Sequence, residues 1–467
     1  MTGASTASAV TEEIPVTDPA TGQEIGRIPA GSAGAADRAV AAAHGAFARW
    51  RDTPAAERAA LLKDGARRLA GRAGELAALQ TAENGKPIAD SRGGVEAGIA
   101  AIEQYAELGP LHRGRALRGS PAAFDAMVPE PFGVAACLTP WNDPVAIACQ
   151  AVAACLVAGN TVVLKPSERT PLTASRVVEL LDLPPGVLQL LHGDGRAGRP
   201  LVADPRVSLV YHVGAVAAGR EIAEVCASQL KKAVLELGGN DPLIVDGDVD
   251  PSFAADQAAT GAFANAGQIC TSVERIYVHQ RVAEPFLAAL AARARSLVMG
   301  PGDDPATELG PLIDERHRRS VHGQVSDAVA AGAHCLCGGA VPAGPGSFYP
   351  ATVLAGCTPD MAVMREETFG PVAPVTVVSS FEGALAAAAA TTYGLAATVL
   401  TASPAHAQRA VRELDAGTVK VNAVFGGAPG GSAHPRRGSG LGYGYGPELL
   451  DEVSRAKVVH LAQHPPT

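Results

Sequence analysis

The fold this sequence predicts is α/β, with two doubly wound parallel sheets in succession. Three observations predict it. From Gly133 to Leu237, nearly all-apolar strands alternate with helices, the pattern of a parallel sheet covered on both faces. A second alternating run begins near Asp241 and ends near Asn422. At 467 residues the chain is too long for one core and suits two or three domains.

The elements follow in order. Residues 16–30 (VTDPATGQEIGRIPA) read as short strands around a turn at Thr21-Gly22. Residues 36–80 are Ala-rich with apolar residues at helical spacing, which predicts two long helices. Pro54 stands near the start of the second, where its missing N–H costs little. Glu83-Asn84-Gly85-Lys86-Pro87 ends that helix, and a third runs over roughly Gly93 to Leu108. Residues 110–133, rich in Pro, Gly and Arg, break the pattern. In the first alternating run VAACL, TVVLKP, VLQLLHG, SLVYHV and KAVLEL are strands, and residues 145–159 and 172–183 are helices. In the second, PLIVDG, RIYVHQ, PVAPVTVV and GLAATVLT are strands. Phe425–Gly446 is a long Gly/Pro-rich loop, of the kind often functional in compact domains. VSRAKVVHLA, in the tail after Leu449, reads as an edge strand.

Composition narrows the function. The chain is 47% hydrophobic and 18% charged, as soluble globular proteins are. A net charge of −9 without a basic block argues against nucleic acid or an anionic membrane as partner. MTGASTASAVTEEIP lacks the basic and apolar regions of a signal peptide. The most apolar stretch, Val145–Leu164, is interrupted by Gln150 and Asn160, which argues against a membrane span. The 8 cysteines have no framework spacing and read as reduced thiols of a cytoplasmic protein. His334, Cys335 and Cys337 have no second Cys/His pair nearby, so no metal site is expected.

One stretch carries candidate chemistry. Phe263–Val278 (FANAGQICTSVERIYV) holds Cys270 between a small polar approach and a strand-like run. A thiol is partly thiolate near neutral pH and intrinsically nucleophilic, so Cys270 is a candidate nucleophile. A lone cysteine is more often a small buried apolar residue. Two other stretches weigh against that reading here, Thr139–Pro144 (TPWNDP) and Leu235–Asn240 (LELGGN).

Together these stretches resemble the aldehyde dehydrogenase superfamily, which carries a P-W-N-x-P turn, an E-L-G-G turn and a G-Q-x-C nucleophile in that order. GNTVVLKPSE (159–168), EETFGPV (366–372) and YGLAA (393–397) extend the resemblance from about Ile14 to Leu461. It implies a cofactor-binding domain over 1–110 and 133–238, a catalytic domain over 239–430, and oligomerisation segments over 111–132 and 431–467. The first of those segments would be a small β excursion pairing with a neighbouring subunit. It implies NAD as cofactor, with NADP as the alternative, a small aldehyde as substrate, and a homodimer or homotetramer.

The same resemblance assigns roles. Cys270 would add to the carbonyl, with Asn142 and the Cys270 N–H facing the oxyanion. Asn142 also fits the cap of a helix starting at Pro144. Glu236 would activate water against the thioester, and its presence favours hydrolysis over acyl transfer to coenzyme A. Cofactor contacts would come from Thr139, Trp141, Lys165, Ser167, Glu168, Leu237, Gly238, Glu367 and Phe369. GDGRAG (193–198) matches G-x-G-x-x-G, but the resemblance makes it a loop near the adenine, including Gly195. Gly214, Ala215 and Gly219 would approach the pyrophosphate instead. The family usually has F-T-G-S there, and this chain has His212-Val213-Gly214-Ala215, without the hydroxyl. Glu168 facing a ribose 2′-OH would favour NAD by repelling a 2′-phosphate.

The substrate pocket would be lined by Asp143, Ile147 and Gln150, on one helix face, with Ile269, Thr271 and Phe425. Asp143 and Gln150 replace the family's frequent aromatic residues, which predicts a polar aldehyde. Asp and Gln also point to solvent more often than not. Arg436 and Arg437, in the loop 432–440, would meet an anionic substrate tail.

Overall fold

The computed structural model describes residues 12–427 and 430–462. The N-terminal stretch read above as no signal peptide lies mostly outside them. Two parallel sheets dominate, as the alternation predicted. The first has six strands, in the order Gly440–Leu441, Lys232–Glu236, Val207–Val213, Val134–Thr139, Thr161–Pro166, Leu188–Leu190. All are parallel except Gly440–Leu441, which runs antiparallel against Leu235 and Glu236. Strand periodicity divides its apolar residues between two cores. Ala135 and Cys137 face one core, with Leu62, Leu76, Ile102 and the Pro144–Val157 helix. Val134, Ala136 and Leu138 face the other, with Val40, Leu201 and Ile222.

The second sheet has seven strands, ordered His334–Cys337, Thr352–Ala355, Val372–Val378, Val273–His279, Asp241–Val245, Ala396–Leu400, Thr418–Val421. Only the outermost, His334–Cys337, is antiparallel to its neighbour. The tail strand Ser454–Ala462 pairs antiparallel along Ala123–Pro131, which also pairs with Arg115–Leu117. No helix is long and apolar enough to cross a membrane among the described residues.

The helices before the first sheet differ from the reading. Residues 33–84 form three, Ala33–Asp52, Ala55–Ala70 and Ala73–Asn84, because Gly71 and Arg72 break what looked continuous. The next helix starts at Ile88, earlier than expected, directly after Pro87. The loop Phe425–Gly446 contains the Gly440–Leu441 strand, so part of it is sheet edge.

Candidate active site

The carboxyl ends of the first sheet's strands meet the amino ends of the second sheet's. Glu236 is the last residue of its strand, and four residues later Asp241 opens the next strand. Cys270 stands three residues before the Val273–His279 strand, beside that link. The turn into Cys270 is tight: Asn265, Ala266 and Gly267 all have positive φ, at 49°, 54° and 72°. A Cβ at Gly267 would overlap the Gly370 carbonyl, so glycine is required there.

The Leu237–Asn240 link is as close-packed. The Gly239 N–H donates to Glu367 Oε1 (3.1 Å). A Cβ on Gly238 would strike Glu367, and one on Gly239 the Cys270 carbonyl. Glu367 itself belongs to a turn organised by Glu274, a fully buried acid that sequence reasoning missed. Glu274 accepts from the N–H groups of Thr368 (2.9 Å) and Phe369 (2.7 Å), which holds Phe369 at φ 52°. The Phe369 ring then meets Trp141 edge-on at 5.5 Å. The signal available was a pair of adjacent charges, Glu274 and Arg275, inside a strand-like run, Val273-Glu274-Arg275-Ile276.

Cys270 and Glu236 touch solvent along one edge and are otherwise enclosed. Burial pushes the Cys270 thiol up to about 12, with the Glu236, Asp241 and Glu367 carboxylates adding to it. The expected partial thiolate is therefore corrected: desolvation keeps the resting thiol protonated. Burial also pushes Glu236 up to about 8, opposed by a hydrogen bond from the Gly444 N–H to Oε1 (3.0 Å). Asn142 is buried, and its Nδ2 donates to the Gln268 carbonyl (3.0 Å), two residues before Cys270. It does not cap the helix; Asp143 occupies the cap position and makes no capping bond.

A cleft of about 720 Å³ opens at the carboxyl ends of the first sheet. Thr139, Trp141, Lys165, Ser167, Glu168, Gly195, Gly214 and Ala215 line it, as do Arg199 and His212. Its shape and mixed lining fit a dinucleotide. Lys165 is buried there and donates to the carbonyls of Pro166 (2.7 Å) and Gly193 (2.6 Å), which leaves one ammonium proton free. His212 stands where the family's F-T-G-S turn has Phe, and the missing hydroxyls fall at Val213 and Ala215; burial brings the His212 ring down to about 4, so it is neutral. Five expected contacts lie outside this cleft. Gly219 is buried, and a Cβ there would overlap the Leu237 side chain, so this pair packs the helix against the link. Leu237, Gly238, Glu367 and Phe369 belong to the seam rather than to this cleft.

The expected substrate pocket is partly corrected. Asp143, Ile147 and Gln150 do share the half-exposed face of their helix. Asp143 is paired with Lys86 (3.1 Å), so no ligand is needed to neutralise it. The Gln150 amide donates to the Gly444 carbonyl (2.8 Å) and the Tyr211 hydroxyl (3.2 Å). Arg436 and Arg437 both pair with Asp415, at 2.9 and 2.8 Å, and Arg437 also donates to Ala389 and Thr391. Those arginines are committed to the protein itself and do not await an anionic substrate. Ile269, Thr271 and Phe425 are half-buried; the first two flank Cys270, and Lys420 lies 5.4 Å over the Phe425 ring.

Comparison with known proteins agrees with this arrangement. A family model described as the aldehyde dehydrogenase family matches residues 6–459. A 3,6-anhydro-alpha-L-galactose dehydrogenase of Streptomyces coelicolor is 38% identical, over 96% of this chain and 93% of its own length. A betaine aldehyde dehydrogenase of Cereibacter sphaeroides is 36% identical, over 97% and 94%. A betaine aldehyde dehydrogenase of Staphylococcus aureus, solved in complex with NAD+, superposes with a TM-score of 0.95 at 31% identity, over 98% of this chain and 93% of that one.

Proposed function

The chain belongs to the aldehyde dehydrogenase family and oxidises an aldehyde to its carboxylic acid with NAD(P), and on that premise we propose how its own residues divide the work. Cys270 is the nucleophile, Asn142 faces the oxyanion, and Glu236 is the base for thioester hydrolysis. The observation that carries this is the seam, where the link following Glu236 packs against the Cys270 carbonyl at Gly239 and Asn142 bonds to the loop just before Cys270.

The Cys270 thiol gives its proton to solvent at its exposed edge, the sulfur adds to the carbonyl carbon, and the carbonyl oxygen takes up negative charge. Of the two Asn142 Nδ2–H bonds one is held by Gln268; the other, with the Cys270 N–H, is free to donate to that oxygen. NAD(P) held at the cleft by Lys165, Ser167 and Glu168 would supply the hydride acceptor, and loss of that hydride from the adduct would leave the acyl group as a thioester on Cys270. Glu236 then takes a proton from water as the water attacks the thioester, releasing the acid and freeing the thiolate. Only ionised Glu236 can do this. With its carboxyl near 8, steady turnover rises as pH climbs through that value. Glu236→Gln is expected to keep a burst of NADH and lose steady turnover by about 100-fold or more. Loss of the burst as well would assign Glu236 to thiol activation instead.

The first sheet and its helices supply the cofactor side, and the 239–430 region the catalytic side. Lys165, Ser167 and Glu168, which line the cleft, would hold the adenosine ribose, and Glu168 would favour NAD by repelling a 2′-phosphate. The substrate is a small polar aldehyde. The names of the relatives support this, as does the Lys86–Asp143 pair beside Asn142, which offers donors and acceptors but no apolar area. The protein is a homo-oligomer. Support comes from the open edge of the Ser454–Ala462 strand, where Val458 and Leu461 are 66% and 60% exposed, with Phe124 54% exposed on its partner strand. Eight free thiols support a cytoplasmic setting.

A further inference from the structure

Gly444 is where the Tyr211 and Gln150 side chains meet the base. Its N–H donates to Glu236 Oε1 at 3.0 Å. Its carbonyl accepts from the Tyr211 hydroxyl at 2.7 Å and from Gln150 Nε2 at 2.8 Å, and Gln150 also donates to the Tyr211 oxygen at 3.2 Å. Tyr211 is fully buried under the first sheet, 233 residues from Gly444 in sequence. The rest of the loop is held from the same side. Tyr105 donates to the Gly446 carbonyl (3.1 Å), and the Tyr443 N–H donates to Glu452 (3.2 Å). An added Cβ on Gly444 would overlap the Glu236 side chain, so the peptide lies flat against it.

We propose that Tyr211 and Gln150 are positioning residues, which grip the Gly444 carbonyl and so hold the Gly444 N–H on the Glu236 carboxylate. The inference rests on Glu236 being the hydrolytic base. The Gly444 N–H and C=O belong to successive peptide planes joined at the Gly444 Cα, and glycine is the residue freest to turn there. Two donors on the carbonyl fix the second plane, which restrains the first and holds its N–H on Glu236. A donor aimed at a carboxylate favours the ionised form, which is the working form of the base. The titratable groups facing Glu236 are Cys270 before the Val273 strand, Tyr211 from the Val207–Val213 strand, and Tyr445 from the Gly444 loop. All three are uncharged at neutral pH. The Gly444 N–H is thus the group that opposes burial at this carboxyl.

The test is the pH dependence of steady turnover with Tyr211→Phe, which removes one hydroxyl inside the core, and with Gln150→Leu on the half-exposed face. Both are expected to move the rising limb to higher pH, Tyr211→Phe by roughly one unit and Gln150→Leu by less. Turnover at pH 7 then falls up to about tenfold, while the NADH burst and the KM for NAD hold. The double variant should shift the limb less than the sum, because both act on one carbonyl. A purely structural role lowers turnover equally at every pH; an unmoved limb in Gln150→Leu and in Tyr211→Phe overturns the proposal. Glu236→Gln separates the two levels of the argument. If it abolishes the limb while the other variants leave it in place, only the positioning role fails. If the limb survives in Glu236→Gln, the base assignment fails and the positioning role with it.

Discussion

The cofactor cleft and the catalytic seam lie at the same end of the first sheet and are built in opposite ways. The cleft is open, about 720 Å³, with charged residues such as Glu168, Arg199 and Glu221 along it. The seam is closed. Gly238, Gly239, Gly267 and Gly444 each stand where one more carbon would collide with Glu367, Cys270, Gly370 or Glu236. Its acids are buried, and their carboxyls are raised rather than lowered. The difference teaches where tolerance lies. Charges at the cleft adjust which cofactor is preferred, and they act through water-accessible space. Groups in the seam work only at one geometry.

Substitutions can break or sharpen that contrast. The largest effect is expected from Cys270→Ala, which should cost at least about 10⁴-fold in oxidation, ~5.5 kcal/mol of barrier, while NAD affinity changes little. Titration with NAD in a fluorescence or calorimetric assay checks the second half; lost affinity would mean that seam and cleft are not separable. Next is Gly444→Ala, in which the new methyl drives Glu236 off its seat. Turnover should drop about 100-fold with the NADH burst retained, read by rapid mixing. At the cleft, Glu168→Gln should narrow the preference for NAD over NADP by about tenfold in kcat/KM, ~1.4 kcal/mol. A wild type that prefers NADP would refute the reading of Glu168. The smallest effect is expected at the mouth. Lys86→Met removes the partner of Asp143 and should lower kcat/KM for hydroxyaldehydes roughly three- to tenfold relative to hexanal, ~1 kcal/mol for one hydrogen bond. Equal loss for both aldehydes would mean that the pair does not face the substrate.

How far the sequence reached follows from the range of the interactions. Both sheets were legible because apolar strands recur at short range, and VAACL or TVVLKP can be read without knowing their neighbours. Cys270 was legible as a nucleophilic residue type, and Glu236 and Asn142 through the resemblance of the E-L-G-G and P-W-N-x-P turns to those of the aldehyde dehydrogenase family. Their environments were not. The Asp143 carboxylate is answered by Lys86, 57 positions away, and the Gln150 amide by Gly444, 294 positions away. Two residues that read as a polar pocket are thus, in part, an ion pair and a loop anchor. The arginines of the 432–440 loop were exposed to the same error, since Asp415 lies outside the segment in which they were read. The state of the Cys270 thiol was hidden for a related reason. Residue type predicts partial ionisation, and only packing reveals the desolvation that opposes it. The break at Gly71-Arg72 was missed because Ala-rich sequence suits a long helix as well as two short ones.

The Gly440–Leu441 strand has a consequence in the order of synthesis. As the chain leaves the ribosome, Lys232–Glu236 is the rim of an unfinished sheet, with a row of unsatisfied peptide groups open to any passing strand. Its cover is translated some 200 residues later, after the whole second sheet, and the segment that follows returns Leu449, Leu450 and Val453 to the first core. Nascent or truncated chains that stop short of residue 440 therefore carry an intact Cys270 beside an unseated Glu236 and an adhesive sheet margin. Such fragments are expected to aggregate before they ever show turnover. Residues 440–453 are thus a late latch on the first sheet.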